Sequence, residues 1–296
     1  MAIALKPLDQ QVIVITGASS GIGLTTAQAA VAQGARVVVA ARSGADLDAF
    51  VRNAGGHQRA AAVVADVADR MQVERIAQKA IESFGRIDTW INNAGVSIYG
   101  RLVEVTDADN RRLFETNFWG VVNGSMVAVS YLRTGGALIN VGSEVSEAVV
   151  PLQGMYSASK HAVKGFTDAL RIELNAEQVP ISVTLIQPTA VDTPYPEHAR
   201  NYMDREPMLP TPRIEPSDVA KAILHAAWHQ DRDVKVGLMA TVNTAIGKIA
   251  PTLGDKMAEK QIDRQHYDAP PRNPAGALHQ PGGGGRTRGQ APTGTR

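Results

Sequence analysis

The sequence has no cysteine among its 296 residues. This absence excludes a disulfide framework, a thiolate metal site and a cysteine nucleophile. The chain also lacks an excess of charge of either sign. Its formal net charge is +1, which provides no overall field for binding a nucleic acid, so we expect no nucleic-acid partner. Hydrophobic residues make up 44% of the chain and charged residues 20%, which excludes a wholly disordered protein.

Long apolar runs are missing as well. The longest uncharged stretches, 10–35 and 116–132, are interrupted by Gln, Gly, Asn, Ser and Thr. A membrane-spanning helix needs about 18 or more apolar residues in succession, so we expect none. The first ten residues have neither the basic start nor the apolar core of a signal peptide. The expected location is therefore the cytoplasm.

Short β-branched runs alternate with longer segments of helical spacing. The runs lie at 12–15, 36–40, 61–65, 87–92, 137–142, 181–187 and 234–238. The helical segments lie near 20–33, 44–53, 70–85, 108–132, 156–176 and 217–230. Strands that alternate with helices predict βαβ units and a parallel sheet covered on both faces. We therefore predict the α/β class, with one doubly wound parallel sheet in a single domain over residues 1–260.

Two C-terminal segments have a different character. Residues 237–261 have the pattern of a Pro-interrupted amphipathic helix, which could cap a pocket, pack on another subunit or contact a membrane surface. Packing is favoured, because the segment has only three Lys and neither Trp nor Phe. Residues 261–296 follow as a Pro/Gly/Arg-rich tail. We predict that this tail is mostly disordered, because it has few apolar side chains to offset the entropy of ordering it.

The most distinctive local pattern is VIVITGASSGIG, residues 12–23. A buried strand runs into a glycine-rich turn, and a helix follows. Gly17 and Gly21 can adopt conformations that other residues disfavour, and Gly23 permits a close approach to the helix. The free N–H groups of a helix N-terminus attract an anion such as a pyrophosphate. The strand–turn–helix context predicts a dinucleotide site.

A second pattern is YSASK, residues 156–160. Tyr156 and Lys160 are four residues apart in a helical segment and so share one face. A phenol has a pKa near ~10 in water, and a nearby ammonium lowers it. The pair therefore suits a general acid whose pKa is adjusted toward the working pH.

Several predicted strands end at residues suited to binding or catalysis. These are Gly17, Gly95 in NNAG, Ser143 in VGSEVS, and Pro188. In open parallel sheets, ligands bind at the carboxyl ends of the strands. We therefore expect the four positions to meet at one edge of the sheet.

Taken together, these patterns resemble the short-chain dehydrogenase/reductase family over roughly residues 8–240. The matching elements are TGASSGIG (16–23), Asp66-Val67, NNAG (92–95), Asn117, Ser143, YSASK (156–160) and the segment from Pro188 to Thr193. The spacings Gly-x3-Gly-x-Gly and Tyr-x3-Lys are similar to those of the oxidoreductase branch. They differ from those of the epimerase and dehydratase branch and of the enoyl reductases.

The resemblance implies a Rossmann fold, a nicotinamide cofactor and an Asn117–Ser143–Tyr156–Lys160 active site. Tyr156 would exchange a proton with the substrate oxygen, and Ser143 would polarise that oxygen. Lys160 would hold the nicotinamide ribose and depress the pKa of Tyr156, while Asn117 would anchor a water that links Lys160 to solvent. The resemblance also implies a homodimer or homotetramer built on the helices 108–132 and 156–176.

The same resemblance implies the cofactor-binding residues. They are Thr16, Gly17, Ser19, Ser20, Gly21, Ile22, Gly23, Arg42, Asp66, Val67, Asn93, Ala94, Gly95, Tyr156, Lys160, Pro188, Thr189 and Thr193. One position departs from the family pattern. Where the family often has Pro-Gly, this chain has Pro188-Thr189.

The end of the second predicted strand bears on the choice of cofactor. An acidic side chain there binds the 2′-hydroxyl of NAD, but this chain has Ala41 followed by Arg42. A guanidinium can bind a 2′-phosphate, so we predict a preference for NADP(H), with NAD(H) possible. Ser19 and Ser20 stand where some NADP-using relatives carry a basic residue, and Arg42 could also be an ordinary surface arginine.

The substrate is less well defined by the sequence. We expect a small-molecule carbonyl or secondary alcohol, bulky and apolar, bound by Val96–Tyr99, Val149–Met155 and the loop 192–213. That loop carries Tyr195, Tyr202, Met203, Met208 and Leu209. The alternative is a dinucleotide-sensing protein without turnover. His225 and His229 have metal-ligand spacing but no apparent third ligand, so we predict no metal site.

Overall fold

The computed structural model describes residues 3–249 and 251–292. The strands are β1 (Val12–Thr16), β2 (Arg36–Ala41), β3 (Ala60–Val64), β4 (Thr89–Asn92), β5 (Ile98–Tyr99), β6 (Gly136–Val141), β7 (Ile181–Pro188), β8 (Arg200–Asn201) and β9 (Asp233–Val236). The helices are α1 (Gly21–Ala32), α2 (Gly44–Asn53), α3 (Arg70–Phe84), α4 (Asp107–Phe114), α5 (Gly120–Leu132), α6 (Gly154–Ala176), α7 (Tyr195–His198), α8 (Pro216–Trp228), α9 (Leu238–Ile249) and α10 (Pro251–Glu259).

A parallel sheet forms the centre of the fold. Its seven strands follow the order β3-β2-β1-β4-β6-β7-β9. The short strands β5 and β8 pair separately. The strand order reverses direction between β1 and β4. In such doubly wound sheets a ligand binds beyond the carboxyl ends of the strands at this point. The predicted Rossmann fold is thereby confirmed.

The apolar strands are buried on both faces. Ile13 and Ile15 of β1 face a core formed with α1, α2 and α8. Val14 faces a second core formed with α3, α5 and α6. Successive side chains of a strand point to opposite faces, so a strand between two helical layers is apolar at every position. This explains why the strands read as continuous apolar runs.

The predicted helix over 108–132 is interrupted. The structure has α4, then a π-helical turn at Glu115–Trp119, then α5. A π-helical turn inserts an extra residue into a helix and often marks a functional site. Asn117 lies in this turn and is fully buried. Its side chain accepts from the Val96 N–H at 2.8 Å and donates to the Val96 carbonyl at 2.9 Å.

The expected amphipathic segment 237–261 forms two helices, α9 and α10. Proline lacks the N–H that a continuous helix needs, so the second helix starts at Pro251. Among the described residues, no helix is both long enough and apolar enough to cross a membrane.

The C-terminal segment differs from the sequence expectation of a disordered tail. The described residues up to 292 lie against the domain. Leu278 is fully buried in a cluster with Val96, Ile98 and Leu113. Arg272 pairs with the buried Glu206 at 2.7 Å. A low-apolar composition therefore does not prevent docking here, because charged pairs and one buried leucine fix the segment.

The glycines of this segment permit its close approach. A Cβ at Gly284 would lie 2.8 Å from the Ser19 carbonyl oxygen, and a Cβ at Gly276 would lie 2.3 Å from the Ala199 carbonyl oxygen. The Gly285 N–H donates to the Ser19 carbonyl at 2.8 Å. Glycine is thus required at these positions for packing rather than for flexibility.

We expect Leu278→Ala to lower the melting temperature by about 5–10 °C, because truncating a buried leucine costs about 2–5 kcal/mol. Val103→Ala is the matched control, since Val103 is 93% exposed. Differential scanning calorimetry of both variants tests this. An unchanged melting temperature for Leu278→Ala would contradict the docked segment.

Candidate active site

The glycine turn between β1 and α1 is shaped by close backbone contacts. Gly17 has φ +67°, and a Cβ there would lie 2.6 Å from the Ala94 Cα. A Cβ at Gly23 would lie 2.3 Å from the Gly17 carbonyl oxygen. Any larger residue would push the turn away from the end of β4.

Thr16 and Asn93 join this turn to the loop after β4. The Thr16 hydroxyl accepts from the N–H groups of Asn93 at 3.0 Å and Ala94 at 3.2 Å. The Asn93 amide donates to the carbonyl of Thr16 at 3.0 Å and to that of Gly17 at 3.2 Å. The side chains of these two predicted cofactor residues therefore hold the two loops together.

Two neighbouring cavities lie beyond the strand ends. The first, here called the glycine-turn cavity, is lined among others by Gly17, Ser19, Ser20, Ala41, Arg42, Asp66, Val67, Ala94, Gly95, Ala277, Pro281 and Gly282. The second, here called the tyrosine cavity, is lined among others by Ile22, Asn93, Gly95, Ser143, Tyr156, Lys160, Pro188, Thr189, Thr193, Tyr195 and Leu209. Gly95 borders both cavities. Most of the predicted cofactor residues thus line one of two neighbouring cavities.

Arg42 lines the glycine-turn cavity and is only partly exposed. Its guanidinium donates to the carbonyl oxygen of Leu278 at 3.1 Å and to that of Ala277. Burial lowers the pKa of Arg42 from its usual value, but a guanidinium stays protonated. The nearby Asp66 carboxylate pairs with Arg112. The C-terminal segment thus forms one wall of this cavity and orients Arg42.

Gly21 and Gly23 line neither cavity. The Gly21 N–H donates to the Arg286 carbonyl at 2.9 Å. One N–H at the start of α1 is thus bound by the C-terminal segment instead of facing a cavity.

Tyr156 and Lys160 lie together at the start of α6. Ser143 and Tyr195 line the same cavity as Tyr156, and the Tyr156 and Tyr195 rings meet edge to face with their centroids 5.5 Å apart. The Lys160 Nζ lies 5.8 Å from the Tyr156 ring centroid and donates to the Val141 carbonyl at 2.9 Å. The tyrosine, the serine and the lysine therefore converge on one space.

The two ionisable groups shift in opposite directions. Burial raises the pKa of Tyr156 to about 12 and lowers the pKa of Lys160 to about 8. Both shifts disfavour the charged form. The expectation that Lys160 depresses the pKa of Tyr156 is not met in the protein alone, because burial dominates and the ammonium is directed to the Val141 carbonyl.

Thr189 replaces the glycine that the family often has after this proline. Its side chain packs against Gly237, which has φ +92°. A Cβ at Gly237 would lie 2.7 Å from the Thr189 methyl group. The added bulk of Thr189 is accommodated by the missing side chain of Gly237, so the Pro188 backbone keeps its place in the sheet.

Only some of the side chains that we expect from the loop 192–213 line the tyrosine cavity. Tyr195 and Leu209 line the tyrosine cavity. Tyr202 instead donates to Asp109 at 2.7 Å, and neither Met203 nor Met208 lines this cavity. The Tyr202 hydroxyl is hydrogen-bonded to the Asp109 carboxylate, so this side chain does not line the tyrosine cavity.

Sequence analysis did not identify Arg112, Gln265 or Leu278. Each contacts a residue more than 40 positions away, and no local pattern marks it.

The rings of His225 and His229 stack with their centroids 4.0 Å apart, and His225 Nδ1 lies 2.9 Å from the Asp231 carboxylate. No group of three or more metal-ligating side chains occurs within the part of the chain that the structure describes.

The residues present fit a nicotinamide dinucleotide. Gly17, Ser19 and Ser20 of the glycine turn line the glycine-turn cavity. The two cavities meet at Gly95, as the two halves of a dinucleotide require. Arg42 at one end can pair with a phosphate, and Lys160 at the other can donate hydrogen bonds to ribose hydroxyls.

Comparisons with known proteins agree with this geometry. Residues 11–203 match the family described as short chain dehydrogenase. The chain is 45% identical over 295 residues to the uncharacterized oxidoreductase YxnA of Bacillus subtilis (strain 168), covering 97% of this chain and 83% of that relative.

Solved structures give the same result. The chain is similar to a short chain dehydrogenase/reductase from Burkholderia phymatum in complex with NAD, with a TM-score of 0.75 and 26% identity, covering 84% of this chain and 96% of that one. It is also similar to a short chain dehydrogenase from Burkholderia cenocepacia J2315 in complex with NADP, with a TM-score of 0.71 and 26% identity, covering 86% and 99%. The chain therefore belongs to the short-chain dehydrogenase/reductase family of NAD(P)-dependent oxidoreductases.

Proposed function

We propose that the protein transfers hydride between NADP(H) and a bulky, mostly apolar carbonyl compound or secondary alcohol. One observation carries the proposal: Ser143, Tyr156 and Lys160 line one cavity, which meets the glycine-turn cavity at Gly95. A dinucleotide-sensing protein without turnover would not need these three side chains in one cavity. Membership in a family of oxidoreductases also favours an enzyme.

The catalytic roles follow from the chemistry of these side chains. The bound dinucleotide supplies or accepts the hydride. Tyr156 donates its proton to the substrate oxygen during reduction, and its raised pKa keeps it protonated at neutral pH. Ser143 donates a hydrogen bond that polarises the same oxygen. Lys160 binds the nicotinamide ribose, and Asn117 anchors a water that links Lys160 to solvent as a proton relay.

Apolar side chains beside the tyrosine cavity support a substrate with a bulky apolar part. This cavity shares Glu144, Val145 and Val150 with a neighbouring cavity under α9 and α10. Apolar side chains such as Val149, Met239, Ile246 and Met257 line that extension. Methionine offers adaptable apolar contact, so a substrate with a bulky apolar part has room beyond the reacting oxygen.

We expect Tyr156→Phe to lower turnover about 10²–10⁴-fold, because it removes the dissociable proton but keeps the ring. Turnover is measured by nicotinamide absorbance with a series of ketones of increasing apolar size. Calorimetric titration of NADP⁺ should give nearly unchanged affinity.

Tyr131→Phe is the matched control for this substitution, since Tyr131 bonds to Glu74 outside both cavities. A Tyr156→Phe variant that retained half of the activity would refute the catalytic assignment. A preference for the smallest, most polar ketones would refute the substrate class.

Arg42 is the basis for the proposed preference for NADP(H). Ala41 beside it also lines the glycine-turn cavity, so no carboxylate at that position repels a phosphate. The Ala277 and Leu278 carbonyls use two of the five guanidinium N–H donors, and the others remain for a 2′-phosphate.

The double substitution Ala41→Asp with Arg42→Leu should invert the preference. The lost charge-assisted pair and the added repulsion should each change selectivity by about 1.5–3 kcal/mol, or roughly 10- to 100-fold. Both dinucleotides are titrated against the wild type and this variant, with the exposed Arg52→Leu as control. Equal wild-type affinities for the two cofactors would show that Arg42 does not read the phosphate.

We further propose a homodimer or homotetramer built on the two long helical segments. Trp119, before α5, is 49% exposed, and Ile172 of α6 is 63% exposed. Exposed large apolar side chains are typical of an interface.

We expect Ile172→Glu to reduce the molar mass measured by light scattering, because a buried carboxylate would weaken the interface. Met71→Glu on α3 is the control, since Met71 is similarly exposed. A monomeric wild-type protein would contradict the proposed assembly.

A further inference from the structure

Residues 281–290, here called the strap, run from one cavity of the site to the other. Pro281 and Gly282 line the glycine-turn cavity. Further along the strap, Gly289 packs against Thr193, which lines the tyrosine cavity. A Cβ at Gly289 would lie 2.8 Å from the Thr193 carbonyl oxygen. The strap therefore borders both of the cavities that a dinucleotide would join.

Between these two points the strap is hydrogen-bonded to the glycine turn. The Gly285 N–H donates to the Ser19 carbonyl at 2.8 Å, and the Gly21 N–H donates to the Arg286 carbonyl at 2.9 Å. Gly21 is the first residue of α1. The free N–H groups at a helix N-terminus are the ones that attract a pyrophosphate. The strap is thus bound to the turn where the phosphates of a dinucleotide are expected.

One ion pair, here called the latch, fastens the strap to the domain. The Arg286 guanidinium pairs with one oxygen of the Glu197 carboxylate at 2.7 Å. The other oxygen of that carboxylate accepts from the Gln290 N–H at 2.7 Å. The Arg286 side chain is 36% exposed and that of Glu197 is 16% exposed. Because water reaches both side chains, the latch stabilises the closed strap only modestly.

The residues just before the strap are held by other contacts. Leu278 is buried in its own apolar cluster, and His279 Nε2 lies 2.7 Å from the Asp109 carboxylate. The Ala277 N–H donates to the His198 carbonyl at 2.7 Å. None of these contacts involves the latch or the glycine turn. The strap can therefore detach from the turn while Leu278 stays buried.

We propose that the strap is a gate over the dinucleotide site, which has to release the glycine turn each time the cofactor enters or leaves. The proposal rests on the proposed position of the dinucleotide at this turn. A molecule that occupies both cavities has to pass the strap, because the strap borders both and holds the turn between them. The strap lies beyond residues 11–203, which match the family, so family membership does not supply this role.

Rate constants distinguish a gate from two alternatives. A gate slows the binding and the release of the cofactor alike. A segment that only competes with the cofactor for the Gly21 N–H slows binding alone. A fixed wall of the site slows release alone.

Gly284→Ala should loosen the closed strap, because the added Cβ would lie 2.8 Å from the Ser19 carbonyl oxygen. We expect both the association and the dissociation rate constants to rise about 5- to 30-fold. Gly283→Ala is the matched control, since a Cβ at this neighbouring position meets no atom within 4 Å. Stopped-flow fluorescence measures the association of NADPH and of NADH, and displacement of each by an excess of its oxidised form measures dissociation.

Arg286→Met tests the latch. It keeps the apolar stem of the side chain but removes the ion pair with Glu197, so both rate constants should again rise. Arg52→Met, at an exposed position, is the control. Hydrogen–deuterium exchange of the protein without cofactor gives a second readout. Peptides that cover residues 19–24 and 281–290 should exchange faster in Gly284→Ala and Arg286→Met than in the wild type and the controls.

Several results would overturn the gate. They are rate constants that change in neither variant, a rise in association alone, a rise in dissociation alone, and exchange that is equal in the wild type and both variants. A wild type that binds neither NADPH nor NADH would refute the proposed position of the cofactor and the gate with it. The exchange measurement needs no cofactor, so it would still show whether the strap closes on the turn.

Discussion

The site depends on how closely two loops approach each other at the carboxyl ends of β1 and β4. Gly17 and Ala94 are so close that a single methyl group at position 17 would collide with the backbone. Thr16 and Asn93 hold the two loops at that distance with their hydrogen bonds. Because both strands are buried on both faces, neither can shift to relieve a larger side chain. The position of both cavities follows from this contact.

Burial then sets the chemistry of the groups around the second cavity. Tyr156 and Lys160 both become harder to charge, the phenol because its pKa rises and the ammonium because its pKa falls. Low solvent access therefore keeps the Tyr156 phenol protonated and lets Lys160 lose its proton near pH 8. The Lys160 charge is held by the Val141 carbonyl, so the protein alone does not direct it at Tyr156.

The sequence was informative wherever a function is local. The strands of the sheet, the glycine turn and the Tyr156–Lys160 pair depend on neighbours within a few residues, and their positions agree with the structure. The interruption of the helix near Asn117 was missed, because a π-helical turn leaves no clear change in apolar spacing. Gln265 and Leu278 were missed because their partners are far away in the chain.

The C-terminal segment shows why amino-acid composition did not predict its docking against the domain. An entropy argument counts apolar side chains, but this segment gains order from its ion pairs and its backbone as well as from Leu278. Its carbonyl groups bind the Arg42 guanidinium, and its glycines let it approach Asp46 and Ser19 at distances that no side chain permits. A run of glycines costs conformational entropy, yet it also removes every Cβ that would hold the chain away from the protein surface. The same residues that suggest disorder in isolation are the ones that permit docking once a partner surface offers donors for the free carbonyls.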